Sequence, residues 1–233
     1  MLKDKIVFVG DIHGEFGRLR YDIRRQYKNA YVIQVGDFGM GFHKPGYYET
    51  EFKQLNETLE THNCHLYAIR GNHDDPEYFK ETHNPFDYKN ITLLADYSEL
   101  ELLNKKILLV GGAVSVDRMY RIPGRSYWDK EPFVLKPKEE LEKFLGKYDF
   151  VVTHTRPGVC GAFKGFANIQ HWCNQDADLK NDLIDESNCV NELYFKTKPK
   201  RWDYGHFHES LGIDYEDTHF RCLNIHEHHM IYE

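Results

Sequence analysis

The feature that most constrains this chain is a repeated junction, in which a short β-branched or aliphatic run ends abruptly in a polar cluster, most often through glycine. Lys5–Val9 reads KIVFV and meets Gly10-Asp11-Ile12-His13. Tyr31–Val35 (YVIQV) meets Gly36-Asp37, and Leu66–Arg70 (LYAIR) meets Gly71-Asn72-His73-Asp74. Ile107–Val110 (ILLV) meets Gly111-Gly112, and Phe150–Thr153 (FVVT) meets His154. Short apolar runs with such sharp exits predict buried strands. Between them, Phe16, Leu19, Ile23 and Tyr27 fall on one helical face, as do Phe52, Leu55 and Leu59. Leu141, Phe144, Leu145 and Tyr148 repeat the spacing behind Pro137, a good first-turn residue, and Val190, Leu193 and Tyr194 predict a shorter helix.

Strands alternating with helices predict a mixed α/β layered fold in the first half. From Ile107 onward the pattern reads as strands joined by long loops, closing on a pair around Arg201–Tyr204 and His219–Ile225. The expectation is a mixed or double sheet flanked by helices, with residues 1–233 as one domain. An apolar fraction of 41%, with 15% aromatics, is enough to bury a continuous core.

The formal charge of −7 argues against a general nucleic-acid coat protein, although bound dications would offset it. Arg18, Arg20, Arg24 and Arg25 read as a solvated helix face. Five cysteines are scattered, odd in number and without a CxxC pair, which fits reduced thiols. The N-terminal apolar run stops at Gly10-Asp11, so it is read neither as a signal peptide nor as a membrane span, and a cytoplasmic location is expected.

The polar clusters carry the chemistry. In α/β sheets, ligands bind at the carboxyl ends of strands, and here Asp and His gather at those ends repeatedly. Asp11 and His13 are alternate residues, which on an extended segment point the same way and can face one ion. Asp37 can bridge two ions with its two oxygens. Asn72 offers a neutral carbonyl oxygen beside His73, His154 follows another strand, and His206 and His208 form a second alternating pair. The set is rich in N and O donors and lacks cysteine, which suits Mn, Fe, Zn, Co or Ni. Taken singly, each is ordinary: Asp-x-His is usually a turn, and Gly-Asp after a strand is turn chemistry. Their joint occurrence, in order, is what points to a metal centre.

Gly-Asp-Ile-His (10–13), Gly-Asp-Phe-Gly (36–39), Gly-Asn-His-Asp (71–74), Thr-His-Thr (153–155) and Gly-His-Phe-His (205–208) together resemble the calcineurin-like metallophosphoesterases over most of the chain. The resemblance implies a four-layer α-β-β-α sandwich with a binuclear site at the sheet edges. It implies a first metal held by Asp11, His13, Asp37 and His208, and a second held by Asp37, Asn72, His154 and His206. Two divalent ions are the implied cofactor, manganese first, with Fe, Zn, Ni or Co as alternatives. His73 would face the substrate phosphate and act as a general acid, while a metal-bridging hydroxide attacks phosphorus. Asp74 or Asp75 could orient His73 or simply cap the next segment.

One departure narrows the substrate. The protein Ser/Thr phosphatase branch carries an Asp-Arg-Gly element after the second motif, and this chain has Gly-Asp-Phe-Gly-Met-Gly-Phe instead. Residues 111–127 (GGAVSVDRMYRIPGRSY) read as substrate-facing, with Arg118, Arg121 and Arg125 suited to phosphate and Tyr120, Tyr127 and Trp128 suited to stacking. Residues 156–172 read as a cleft wall, with His171 and the tail histidines His226, His228 and His229 as surface groups. The expected reaction is phosphoester hydrolysis, with a phosphodiester or nucleotide-type substrate, nucleic acid included. Phosphomonoester, phosphoprotein or dinucleoside polyphosphate cleavage is the alternative within the enzyme class. A non-catalytic binding scaffold is the alternative outside it.

Overall fold

The computed structural model describes residues 2–161 and 166–232. Its first sheet has five strands in the order β11-β1-β2-β3-β4. These are β1 (Lys5–Val9), β2 (Ala30–Gln34), β3 (His65–Ala68), β4 (Ile91–Leu93) and β11 (His228–Tyr232). The first four run parallel, and β11 adds antiparallel to β1 with Val7 opposite Met230. The second sheet has six strands in the order β5-β6-β7-β8-β10-β9. They are β5 (Ser98–Leu102), β6 (Lys105–Val110), β7 (Phe150–Thr153), β8 (Arg201–Tyr204), β9 (Leu211–Tyr215) and β10 (Thr218–Cys222). The inner four are parallel, and β5 and β9 close the edges antiparallel.

Strand alternation explains why two sheets stack. In β1, Ile6 and Phe8 face the other sheet, where they meet Ile107, Leu109, Phe150 and Val152. Val7 and Val9 face outward onto α1 (Phe16–Gln26) and α2 (Pro45–Thr61), against Phe16, Leu19, Ile23, Phe52, Leu55 and Leu59. In β6 and β7, Leu108, Val110 and Val151 face the opposite way, onto Val190, Leu193 and Tyr194. A strand buried on both faces must be apolar throughout, which is why these segments read as unbroken hydrophobic runs. Each large side chain so buried stabilises the fold by roughly 1.5–3 kcal/mol relative to exposure. The observed layering is helix, sheet, sheet, helix, the four-layer sandwich expected above.

Two helices differ from the sequence pattern. The run behind Pro137 is only a short α3 (Lys138–Leu141) followed by a 3-10 turn, and Leu145 is exposed. Its apolar spacing reflects Leu141, Phe144 and Tyr148 packing from an irregular segment. After α4 (Phe166–Cys173), the helix marked by Val190, Leu193 and Tyr194 proves to be the 19-residue α5 (Leu179–Thr197). Its first half is rich in Asp, Asn, Glu and Lys, so the buried stripe is sparse there. It ends where Lys198 turns left-handed and donates its N–H to the Tyr194 carbonyl.

The arginines of α1 are not a free basic patch. Arg18 pairs with Asp22, Arg20 with Glu51, and Arg24 donates to Thr58, so Arg20 and Arg24 tie α1 to α2. Among the described residues no helix is long and apolar enough to cross a membrane.

Candidate metal centre

The parallel strands of both sheets deliver their carboxyl ends to one rim, and the polar clusters follow directly. Asp11 lies beyond β1, Asp37 beyond β2, Asn72 beyond β3, His154 beyond β7, and His206 and His208 beyond β8. Glycine is what lets them converge. A Cβ at Gly71 would overlap the Asp37 carboxylate, and one at Gly205 would overlap that of Asp11. Each glycine therefore makes room for a side chain from a different motif.

One carboxylate oxygen each from Asp11 and Asp37 and one ring nitrogen each from His13 and His208 lie within 4.8 Å of one another. Nε2 of His13 is 3.1 Å from Nε2 of His208, and the latter is 3.2 Å from Oδ2 of Asp11. A second set adjoins it. Oδ1 of Asn72 lies 3.0 Å from Nε2 of His154 and 2.8 Å from Nδ1 of His206. Oδ1 of Asp37 is 3.3 Å from Nε2 of His154, while its Oδ2 turns toward Nδ1 of His13 at 3.9 Å. The two oxygens of Asp37 thus address the two sets separately.

Asp11 and His13 do not face the centre by strand alternation. His13 does not continue an extended strand: its φ is +45°, in a turn. His206 and His208 also have left-handed backbones, at φ +67° and +51°, and Asp37 is at +55°. Strained backbone of this kind is concentrated at functional sites. The turn sends His206 to Asn72 and His208 to Asp11, so two histidines separated by one residue serve different sets.

Surrounding groups orient these donors. The Nδ1–H of His154 donates to the Val35 carbonyl at 2.9 Å, which aims Nε2 inward. The amide nitrogen of Asn72 donates to Oγ of the buried Ser115 at 2.9 Å, which leaves Oδ1 facing the donors. Sequence reading passed over Ser115; its signal was a lone hydroxyl in the apolar run Ala113-Val114-Ser115-Val116. Burial raises the Asp37 pKa, but His154, His73 and His13 outweigh it and hold the carboxylate well below its usual range. Burial lowers the His154 pKa, yet the Asp37 and Asp11 carboxylates bring it up to about 9. Burial first, and then His154, push His206 well below the ordinary imidazole value. Carboxylates and inward-facing ring nitrogens packed this closely share a need for positive charge, and such N/O donor sets fit divalent transition ions.

His73 sits at the edge of this cluster, its ring 5.1 Å from that of His13. Arg121 donates from Nη2 to Nε2 of His73 at 2.6 Å and from Nη1 to the Asn72 carbonyl at 3.3 Å. The other two arginines of that segment are not brought in. Arg118 spends its guanidinium on Asp176 and Asp182, and Arg125 is exposed in a tight turn; neither side chain bonds to any of the donors. Neither Asp74 nor Asp75 orients His73. Asp75 caps a 3-10 turn through the Glu77 N–H. Asp74 is fully buried and accepts from the backbone N–H groups of Phe38, Gly39, Met40 and Gly71. It clamps the second motif to the third. His171 is exposed against Gln175, and His226, His228 and His229 lie at the start of β11 or just before it. Within the sequence-read cleft wall, residues 162–165 lie outside the described residues.

Residues 4–210 match the calcineurin-like phosphoesterase family, Metallophos. Comparison with curated proteins gives no significant match. Among solved structures, one crystal structure aligns over 100% of this chain and 99% of its own at 13% identity with a TM-score of 0.56, a likeness of fold. Others are an archaeal phosphodiesterase (14% identity, TM-score 0.41, 98% of this chain and 99% of that one) and the phosphopantetheinyl hydrolase of Mycobacterium tuberculosis (11%, 0.45, 97% and 91%).

Proposed function

Because the chain belongs to the calcineurin-like phosphoesterase family, we propose that it is a metal-dependent hydrolase of phosphoesters acting at a centre for two divalent ions. Asp11, His13, Asp37 and His208 would hold one ion, and Asp37, Asn72, His154 and His206 the other, with manganese first among the candidates. When bound, the ions supply Lewis acidity and bring a water's pKa to about 7. The observation that carries this reading is the convergence of the Asp11, His13, Asp37 and His208 donor atoms within 4.8 Å, at one end of parallel strands from both sheets.

The chain's own residues do the rest. Arg121 can only donate, so Nε2 of His73 accepts from it and the imidazole carries its proton on Nδ1. That N–H is the hydrogen bond His73 offers to a phosphate oxygen or to the leaving-group oxygen, where negative charge develops. Arg121 adds a fixed cation beside it, suited to the charge of a phosphoryl group. The absence of Asp-Arg-Gly after Asp37 supports a phosphodiester or nucleotide-type substrate over a phosphoprotein.

The deciding experiment is turnover of a panel of phosphomonoesters, phosphodiesters, nucleotides and single-stranded nucleic acid, with Mn, Ni, Zn or Mg supplied. Metal-dependent cleavage of a diester or nucleotide is expected. Activity confined to simple monoesters would remove the diester preference, and a folded protein that takes up no transition ion would favour a binding scaffold.

A further inference from the structure

Beside the donor cluster lies a depression of about 280 Å³ lined by His13, Gly14, Gly39, Phe42, His43 and His73. Two of its lining residues, His13 and His73, belong to the centre itself. The others come from the segments after β1 and β2, and they bring an aromatic ring to the edge of the candidate phosphate site. Phe42 is 42% exposed. Its ring stands 6.4 Å from that of His73, inclined by only 34°, and meets Trp128 edge-on at 5.5 Å. The imidazole of His43 lies against the Tyr47 ring at 4.1 Å.

An exposed phenylalanine is ordinary on a protein surface. What distinguishes Phe42 is how firmly its backbone is held. The hydroxyl of the buried Tyr48 accepts from the N–H of Gly41 at 2.8 Å and from that of His43 at 3.1 Å, on either side of Phe42. The same hydroxyl donates to the Gly39 carbonyl at 3.0 Å. Asp74 fixes the preceding N–H groups, and Gly41 is wedged against Asp75 and Trp128. Residues 39–43 are therefore a braced platform that carries a partly exposed aromatic ring next to the donors. A ring held in place before binding loses little freedom when a planar group stacks on it.

We propose that Phe42 is the stacking platform for the nucleobase of a nucleotide-type substrate whose phosphate lies at the metal centre. This rests on the phosphoesterase reading above and specifies its substrate. The depression falls just short of the usual range of small-molecule pockets, about 300–1,000 Å³, so it suits one ring system rather than an extended ligand. His43 at the rim adds polar ring atoms that a heteroaromatic base can use and a plain phenyl ring cannot. Stacking on one aromatic side chain is sequence-tolerant, because every base presents a π-face.

The test uses the full-length, manganese-loaded protein and calorimetric binding of AMP, phenyl phosphate and ribose 5-phosphate. AMP should bind the wild type about tenfold more tightly than ribose 5-phosphate, within the range measured for single base–aromatic stacks. Phe42→Ala and Phe42→Leu should bring that ratio close to one while leaving the ribose 5-phosphate affinity within about twofold, and Phe42→Trp should keep the preference. Phenyl phosphate should fall below AMP. A wild-type ratio near one, a preference that survives Phe42→Leu, or phenyl phosphate equal to AMP would each overturn the assignment, with the phosphoesterase reading intact if the ester panel still turns over. Failure of all three ligands to bind, together with no turnover of any ester, would bring down both readings.

Discussion

Arg121 donates a guanidinium N–H to Nε2 of His73 at 2.6 Å, and the same side chain reaches the Asn72 carbonyl at 3.3 Å and the Asp117 carboxylate at 2.6 Å. One planar group thus joins the imidazole at the edge of the centre to the backbone of a candidate ligand. Burial lowers the His73 pKa, and Arg121 lowers it further against the opposing pull of Asp37. Both effects disfavour the imidazolium, and with Nε2 accepting from Arg121 the ring is left with its Nδ1–H as a hydrogen-bond donor.

Replacing His73 should therefore separate chemistry from metal binding. His73→Ala is expected to keep two ions per chain by elemental analysis while turnover falls at least about a hundredfold, the lower range for a lost transition-state hydrogen-bond donor. Arg121→Lys keeps the charge but loses the fork, since an ammonium cannot hold His73, Asn72 and Asp117 in one plane. Its kcat should fall roughly tenfold or more, again with metal content unchanged. Loss of metal from His73→Ala would overturn the role given to it.

Asp74 is a structural clamp, and its substitution should be costly for a reason other than charge. Burial, reinforced by Asp37, brings its pKa up to about 6, so the site does not favour the ionised form. What Asp74→Asn loses is one of two acceptor oxygens, and the new amide N–H₂ is turned onto backbone donors. With four N–H groups converging there, a cost of roughly 2–4 kcal/mol is expected in urea unfolding, together with weakened metal uptake. Asp75→Asn, which alters a carboxylate that accepts from the exposed Glu77 N–H, should cost under about 1 kcal/mol.

Glu186 is not itself a candidate ligand, and it offers a test of pH dependence. It is buried on α5 and accepts from the Phe133 N–H, and burial brings its pKa up to about 7 despite its hydrogen bonds. Its folded value is thus above its unfolded one. The associated stability is fully present below about pH 4.5 and is lost as pH rises through about 7, because the unfolded chain ionises first. The loss is of order 3 kcal/mol at most. Glu186→Gln should flatten that part of the stability–pH curve and leave the variant closer to the wild type at pH 5 than at pH 8, where it should be the more stable. Denaturant midpoints across this range decide it; parallel curves would refute the assignment.

The inner strands and the residues of the candidate donor clusters were legible in the chain itself; the edge strands β4, β5, β9 and β11 were not. A strand buried on both faces has to be apolar, and its exit has to be glycine where another motif's carboxylate packs against it, as Gly71 does against Asp37. Those are local demands, written in consecutive residues. The length of α5 was less legible, because a helix exposed along half its length buries few side chains to mark it. The tertiary structure decided everything that depended on which distant residue arrives. It turned His206 and His208, alike in the sequence, toward different donor sets through left-handed backbones. It consumed Arg118 on Asp176 and Asp182 and brought Arg121, three positions later, onto His73. It made Asp74 a clamp and Ser115 a support for Asn72. Hydrogen-bond partners drawn from separate strands have no spacing rule along the chain; they are set by how two sheets stack and which ends they share.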